Sequence, residues 1–225
     1  MPQPQLPENI KEIKEEELFY FNCHPGVRCF TRCCCQLELA LSPYDLIRLR
    51  RHLGITSREF LDQYALVEWQ EGDLFPRVYL AMVDDGQASC PFVSAKGCAV
   101  YEGRPGACRT YPLGRAVFRS PDNSLDSFHV VLREEHCLGF GEATEQTIGR
   151  WTQGQGLPDY NQMNDALFAL LHHPETTRGF VPSPAQRQLF LATLYDIDTF
   201  KTSGKMENGR QLDDENLLLA AITWL

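Results

Sequence analysis

The sequence predicts an α+β fold, with a short antiparallel β element and irregular cysteine-rich loops flanked by helices at both ends. Three observations predict it. Capped stretches of helical periodicity occupy residues 42–66 and return from about residue 142 onward. Between them, residues 75–133 hold short β-type runs separated by Gly, Pro, Asn and Asp turns. All nine cysteines precede residue 138, so the thiols belong to the N-terminal two-thirds of the chain.

The elements follow in order. Residues 1–17, MPQPQLPENIKEIKEEE, are proline-rich and then acidic and read as a flexible leader. After the run FNCHPGVRCFTRCCC comes LALSPYDLIRLRRHLG, a helix with Ser42 as N-cap, Pro43 at the first position and Asp45 at the positive dipole end. Leu46, Leu49 and Leu53 repeat at helical spacing, and Gly54 supplies the stop. Thr56 and Glu59 form a capping box that starts a second helix through FLDQYAL. FPRVYLAMV, residues 75–83, reads as a strand ending at DDGQ, followed by CPFV, the turn AKG and CAVY. Gly103-Arg104-Pro105 opens a short helical turn carrying Cys108 and Arg109, and RAVFRS and SFHVVLR form a hairpin around PDN. Helices are predicted near 142–153, 158–172, 184–200 and 214–225, the last capped by Asp213. The chain thus divides into a leader (1–17), a cysteine-bearing domain (18–141) and a helical extension packed on it (142–225).

Composition removes several function classes. A net charge of -9 argues against nucleic acid as the main partner. No run of eighteen apolar residues suggests a membrane span, and the first residues lack the basic start and apolar stretch of a signal peptide. The expected setting is the cytoplasm, where thiols stay reduced. An odd number of cysteines cannot pair fully. The triplet Cys33-Cys34-Cys35 adds a geometric objection, because neighbouring Cα atoms lie about 3.8 Å apart and disulfides span roughly 4.4–6.8 Å. Metal or cluster binding is the reading that remains, so the cysteine-rich core is predicted to bind metal.

The spacing rules out several familiar sites. It runs C-x5-C-x3-C-C-C, then C-x7-C-x9-C, then Cys137. No C-x2-C knuckle of a zinc ribbon occurs, nor the C-x2-C-x2-C of bacterial ferredoxins, nor the C-x3-C-x2-C of radical S-adenosylmethionine enzymes. The thiols can converge only by folding. Adjacent side chains point in different directions, which suits different centres better than one. Eight thiolates would hold two four-ligand centres; four would hold one. Arg104, Arg109 and Arg115 lie near Cys98, Cys108 and Cys137 in sequence and would balance an anionic iron–sulfur core.

FNCHPGVRCFTRCC, LSPYDLIRLRRHLGI, SCPFV, GCAVYEGRPGACRTYPLG and the late Cys137 resemble the YkgJ-type cysteine-cluster family, also called the zinc- or iron-chelating CxxCxxCC domain. The pattern C-P-F followed by G-C-x-x-Y-x-x-R-P-x-x-C-R-x-Y-P is long and specific. The resemblance covers roughly residues 18–140 and, more weakly, the C-terminal LYDIDTFK and final WL. It implies a metal-chelating protein of the iron–sulfur oxidoreductase type. Its ligand candidates, carried over by position, are Cys23, Cys29, Cys33, Cys34, Cys90, Cys98, Cys108 and Cys137, with Cys35 an extra thiol. Five residues separate Cys23 from Cys29, more than in the shortest family spacing.

The leading expectation is therefore one or two iron–sulfur clusters, of the 4Fe-4S type, serving an unidentified redox or protein partner. Flagellin lysine methylases are also similar across the cysteine block, which makes methyl transfer from S-adenosylmethionine one alternative. A zinc-stabilised binding module is the other. His24 and His136 flank cysteines and could each replace a thiolate, whereas His172 and His173 read as a solvated helix end. Tyr101 and Tyr111 read as aromatic core residues.

Overall fold

Residues 6–70 and 72–225 are described by the structure, a computed structural model. In chain order the first elements are β1 (Ile10–Ile13), β2 (Phe19–Tyr20), a 3-10 turn at Arg32–Cys34, α1 (Pro43–Leu53) and α2 (Ser57–Tyr64). Next come β3 (Ala65–Glu68), β4 (Arg77–Leu80), β5 (Val93–Ser94), β6 (Gly97–Cys98), a 3-10 turn at Tyr101–Gly103 and α3 (Gly106–Thr110). The long strands β7 (Leu113–Arg119) and β8 (Leu125–Leu132) follow, then a 3-10 turn at Gly139–Gly141 and β9 (Glu145–Gln146). The remainder is helical: α4 (Ile148–Gly154), α5 (Leu157–Leu171), α6 (Pro174–Thr177), α7 (Pro184–Leu194), α8 (Ile197–Thr202), a 3-10 turn at Gly209–Gln211 and α9 (Asp214–Trp224). The fold is α+β, as the sequence predicts.

Local chemistry fixes the first two helices. Ser42 Oγ accepts the Asp45 N–H at 3.2 Å while Asp45 Oδ2 accepts the Ser42 N–H at 2.8 Å, a complete capping box, and Gly54 ends α1 with φ 69°. Thr56 and Glu59 repeat the device at α2. The second helix stops at Tyr64, however, two residues short of its predicted end. Ala65–Glu68 pairs antiparallel with Arg77–Leu80 instead, from Ala65↔Leu80 to Glu68↔Arg77, so a distant ladder overrides helical continuation. That ladder also trims the predicted 75–83 strand to four residues.

The β7–β8 hairpin forms as expected, paired from Leu113↔Val131 to Arg119↔Leu125. Its outer neighbour is a correction to the leader predicted over 1–17. Ile10–Ile13 lies antiparallel along β8, from Ile10↔Leu132 to Ile13↔His129, and the Ile13 side chain is buried. Backbone pairing plus that burial holds these four residues, whereas residues 1–5 of the leader lie outside the described residues. β2 with β9, and β5 with β6, form separate two-stranded pairs.

Two apolar clusters carry the packing. The larger joins Tyr44, Leu46, Ile47 and Leu49 of α1 to Phe60, Val78, Tyr160, Phe190, Leu194, Phe200, Leu217 and Leu218. The smaller unites Ile13, Phe19, Phe21, Leu113, Val131 and Ile148, with Tyr111, Cys137, Phe140 and Trp151 packed on it. Phe21 is its hub, edge-on to Tyr111, Phe140 and Trp151 at 5.8, 5.1 and 5.5 Å between ring centres.

The C-terminal helices close over α1. The predicted 184–200 helix is two, because the chain leaves α7 at Tyr195 and restarts at Asp196. Asp198 of α8 and Asp214 of α9 both grip the Arg50 guanidinium, at 3.2 and 2.6 Å. Asp213 caps α9 as predicted, accepting the Asn216 N–H at 2.8 Å, and Leu217, Leu218, Ala221 and Ile222 pack into the core. Among the described residues no helix is long and apolar enough to cross a membrane.

The turn Tyr101–Gly103 leans directly on α1. A Cβ on Gly103 would meet His52 Cβ at 2.7 Å and the Arg48 carbonyl at 2.9 Å. Gly103→Ala is therefore expected to cost about 1–3 kcal/mol by overpacking, read as a lower denaturant midpoint with an unchanged slope.

Candidate metal centre

The cysteine segments are placed by a few backbone contacts. The chain turns at Thr31 (φ 67°) into the Arg32–Cys34 turn, then turns again at Gln36 (φ 56°). This presents the Cys34 carbonyl to the Cys90 N–H at 2.7 Å and the Gln36 N–H to the Ala88 carbonyl at 2.8 Å. Cys34 is thereby docked on the loop that carries Cys90. The Cys90 carbonyl accepts the Val93 N–H at 3.1 Å, and Val93 pairs with Cys98 across the β5–β6 hairpin. Gly97 takes φ 111° at its bend, where a side chain would be strained and would press on the Phe30 ring at 3.1 Å.

A second set of contacts gathers the other thiols. Asn22 N–H donates to the Gly139 carbonyl at 3.1 Å, and Leu138 N–H donates to Cys29 Sγ at 3.1 Å. Together they bring Cys23, Cys29 and Cys137 to one turn beside the Phe21 cluster. Gly139 makes that approach possible, since a Cβ there would lie 2.7 Å from the Phe21 ring and 2.8 Å from the Asn22 carbonyl.

Electrostatics shows which thiols lie near one another. Burial first, then charge on Cys33, Cys29 and Cys137, pushes the Cys23 thiol up to about 11. Burial first, then charge on Cys90, Asp45 and Cys98, with Cys33 a lesser influence, raises Cys108 to about 12. The adjacent Cys33 and Cys34 share a proton, which lowers Cys33 to about 7 and raises Cys34, the latter also through burial and charge on Cys33, Cys90 and Cys108. Cys108 keeps exposed surface, yet burial is the main cause of its shift. Cys35 turns elsewhere: its sulfur lies 3.7 Å from Ser89 Oγ.

The arginines divide. Arg104 and Arg109 are each only 7% exposed, and neither is ion-paired to a carboxylate among the described residues. Arg104 donates to the Tyr101 carbonyl at 2.6 Å and to Gln155 Oε1, and it stacks 3.7 Å from the Tyr101 ring centre. Arg109 donates to the Arg104 carbonyl at 3.1 Å, the Gln155 carbonyl at 2.8 Å and the Glu102 carbonyl. Burial lowers the Arg104 pKa, whereas the nearby Cys108 and Cys98 act to raise it. Arg115 does not join them. The hairpin carries it to α5, where Asp165 takes its guanidinium in two hydrogen bonds of 2.6 and 2.9 Å.

The other candidates have partners of their own. His24 Nδ1 accepts the Gly26 N–H at 3.1 Å, and Nε2 faces Glu142 at 3.3 Å. His136 faces Glu134 at 3.5 Å. His172 and His173 are exposed at a helix end, as predicted. Tyr101 is 54% exposed rather than in a core, held outward by its stack with Arg104. Tyr111 packs on Phe21, but its buried hydroxyl has no hydrogen-bond partner among the described residues. Burial first, then the neighbouring Cys137 thiol, raises its pKa.

Sequence reasoning missed Asp45 as more than a helix residue. Its Oδ1 accepts the Gly106 N–H at 2.7 Å, which fixes α3 two residues before Cys108. Burial raises its pKa, opposed by hydrogen bonds from Gly106 and Ser42 and by the Arg109 charge. No local sequence signal marks so remote a contact.

The donor set is soft, partly exposed and backed by buried positive charge, all of which fits a thiolate-bound anionic metal centre. Among the described residues no three His, Cys, Asp or Glu side chains converge as ligands of a single ion do. A family model described as "Putative zinc- or iron-chelating domain" (CxxCxxCC) matches residues 22–138. No curated protein and no solved structure matches the chain.

Proposed function

The chain belongs to the CxxCxxCC family of zinc- or iron-chelating domains, and from that premise we propose that it carries iron–sulfur clusters of the 4Fe-4S type and serves a redox partner. The residues that would hold them are Cys23, Cys29, Cys33, Cys34, Cys90, Cys98, Cys108 and Cys137. The observation that supports this reading is that cysteine segments remote in sequence are joined, Cys34 to Cys90 through their backbones and the Leu138 amide to the Cys29 sulfur.

When bound, such a cluster supplies one-electron chemistry at a potential set by charge, hydrogen bonding and solvent access. The protein's own part is electrostatic. The Leu138 N–H steadies negative charge on the Cys29 sulfur. Arg104 offers buried positive charge beside Cys98 and Cys108, which favours the more reduced, more negative state. Exposed surface at Cys23, Cys33 and Cys108 leaves a short path to a docked partner.

Anaerobically purified protein is expected to be brown and to contain iron and acid-labile sulfide in equal amounts. Colourless protein with stoichiometric zinc and no sulfide would overturn the redox reading.

A further inference from the structure

We infer that the eight thiolates form two separate centres, Cys23, Cys29, Cys33 and Cys137 in one and Cys34, Cys90, Cys98 and Cys108 in the other, joined at the Cys33–Cys34 peptide bond. The inference rests on the metal-binding reading above but is indifferent to which metal is bound.

The geometry of the Arg32–Cys34 turn is its starting point. A 3-10 turn has about three residues per turn, so consecutive side chains leave the axis about 120° apart. The two side chains therefore leave the backbone toward different sides, while their thiols still meet at the turn. On the Cys33 side, the Leu138 N–H meets the Cys29 sulfur and Asn22 is hydrogen-bonded to Gly139, so the neighbours are Cys29, Cys137 and Cys23. On the Cys34 side, the Cys34 carbonyl holds the Cys90 N–H and the β5–β6 pairing adds Cys98. The Asp45–Gly106 bond then sets α3, and with it Cys108, on the same side.

The two groups also stand on different supports. Cys137 packs on the Phe21 cluster, whereas Cys90 and Cys98 pack on the larger core. Their electrical surroundings differ as well. Tyr111 and Glu134 lie by the first group, and Arg104 lies by the second. Two centres sharing one peptide bond are near enough to sense each other's charge, yet are built to hold it with unequal ease.

The test is metal and sulfide content per chain, measured on the full-length protein loaded anaerobically. The wild type is expected to hold two centres' worth of metal. Cys137→Ser and Cys98→Ser are each expected to keep half of it. The double variant Cys29→Ser/Cys137→Ser should also keep half, whereas Cys137→Ser/Cys98→Ser should keep none. Complete loss in either single variant, or equal retention in the two double variants, overturns the partition. Since a variant can fail through misfolding alone, the wild-type count is an independent check: metal for one centre only also overturns it. Zinc in place of iron and sulfide would sink the redox reading, and the same halving pattern would still decide whether there are two centres.

Discussion

Stripping the metal with a chelator, under reducing and anaerobic conditions, is expected to release the cysteine segments while the helical core stays folded. The segment 22–38 has almost no support of its own. Its regular structure is one 3-10 turn, and Val27 is its only buried hydrophobic residue. Three non-glycine residues there and in the facing loop take left-handed conformations: Thr31, Gln36 and Ala88, with φ of 67°, 56° and 47°. Each costs on the order of 1–3 kcal/mol unless its surroundings impose it. Structural metal binding is worth about 10–16 kcal/mol in small domains, ample to cover such costs. By contrast, α1, α5, α7 and α9 share a continuous apolar cluster that contains none of the strained residues. Hydrogen exchange should show this as a split. The Gln36, Cys90 and Val93 amides should lose about a thousandfold or more in protection, equivalent to roughly 4 kcal/mol, while amides in the centre of α1 and α9 keep theirs. A uniform change across the molecule, or none, would contradict it.

That split mirrors what the sequence reveals and what it hides. The α1 and α2 caps are legible because Ser42, Thr56 and Glu59 act within a single turn, and Gly54 needs only its own backbone freedom. The hairpin β7–β8 is legible for the same local reason. Elements decided by remote pairing are not. The text IKEI carries no strand alternation, and only β8 makes it β1. YALVE continues a helical pattern until β4 claims it. The break between α7 and α8 lacks a Gly or Pro to announce it, since Asp196 suffices. Among the candidate ligands, the divergence of adjacent thiols can be argued from the chain alone. Which cysteine joins which group cannot, because the Leu138–Cys29 and Cys34–Cys90 contacts span 109 and 56 positions. Proximity in sequence misleads once: Arg115 follows Cys108 by seven positions, yet β7 delivers it to Asp165.

Asp45 tests whether the core and the candidate centre are mechanically one unit. Its Oδ2 closes the α1 capping box on the Ser42 N–H and hydroxyl, both at 2.8 Å, while its Oδ1 holds the Gly106 N–H at 2.7 Å. Thr56 and Glu59 supply a natural control, being the same box made by two exposed side chains. Glu59→Ala should therefore cost only a helix cap, about 1 kcal/mol. Asp45→Ala should cost that plus an orphaned Gly106 N–H and the loss of a buried carboxylate near the Arg109 charge, for a total of about 3–5 kcal/mol. Asp45→Asn should fall between them, because its amide turns a donor toward groups that are themselves donors. Denaturant midpoints would rank the three. The effect should also reach the thiols, since Gly106 no longer fixes α3: Asp45→Ala should lose metal before Glu59→Ala does as chelator is raised. If the two alanine variants match in both stability and metal retention, Asp45 is only a cap, and the buried bond to Gly106 carries none of the coupling between α1 and the Cys108 turn.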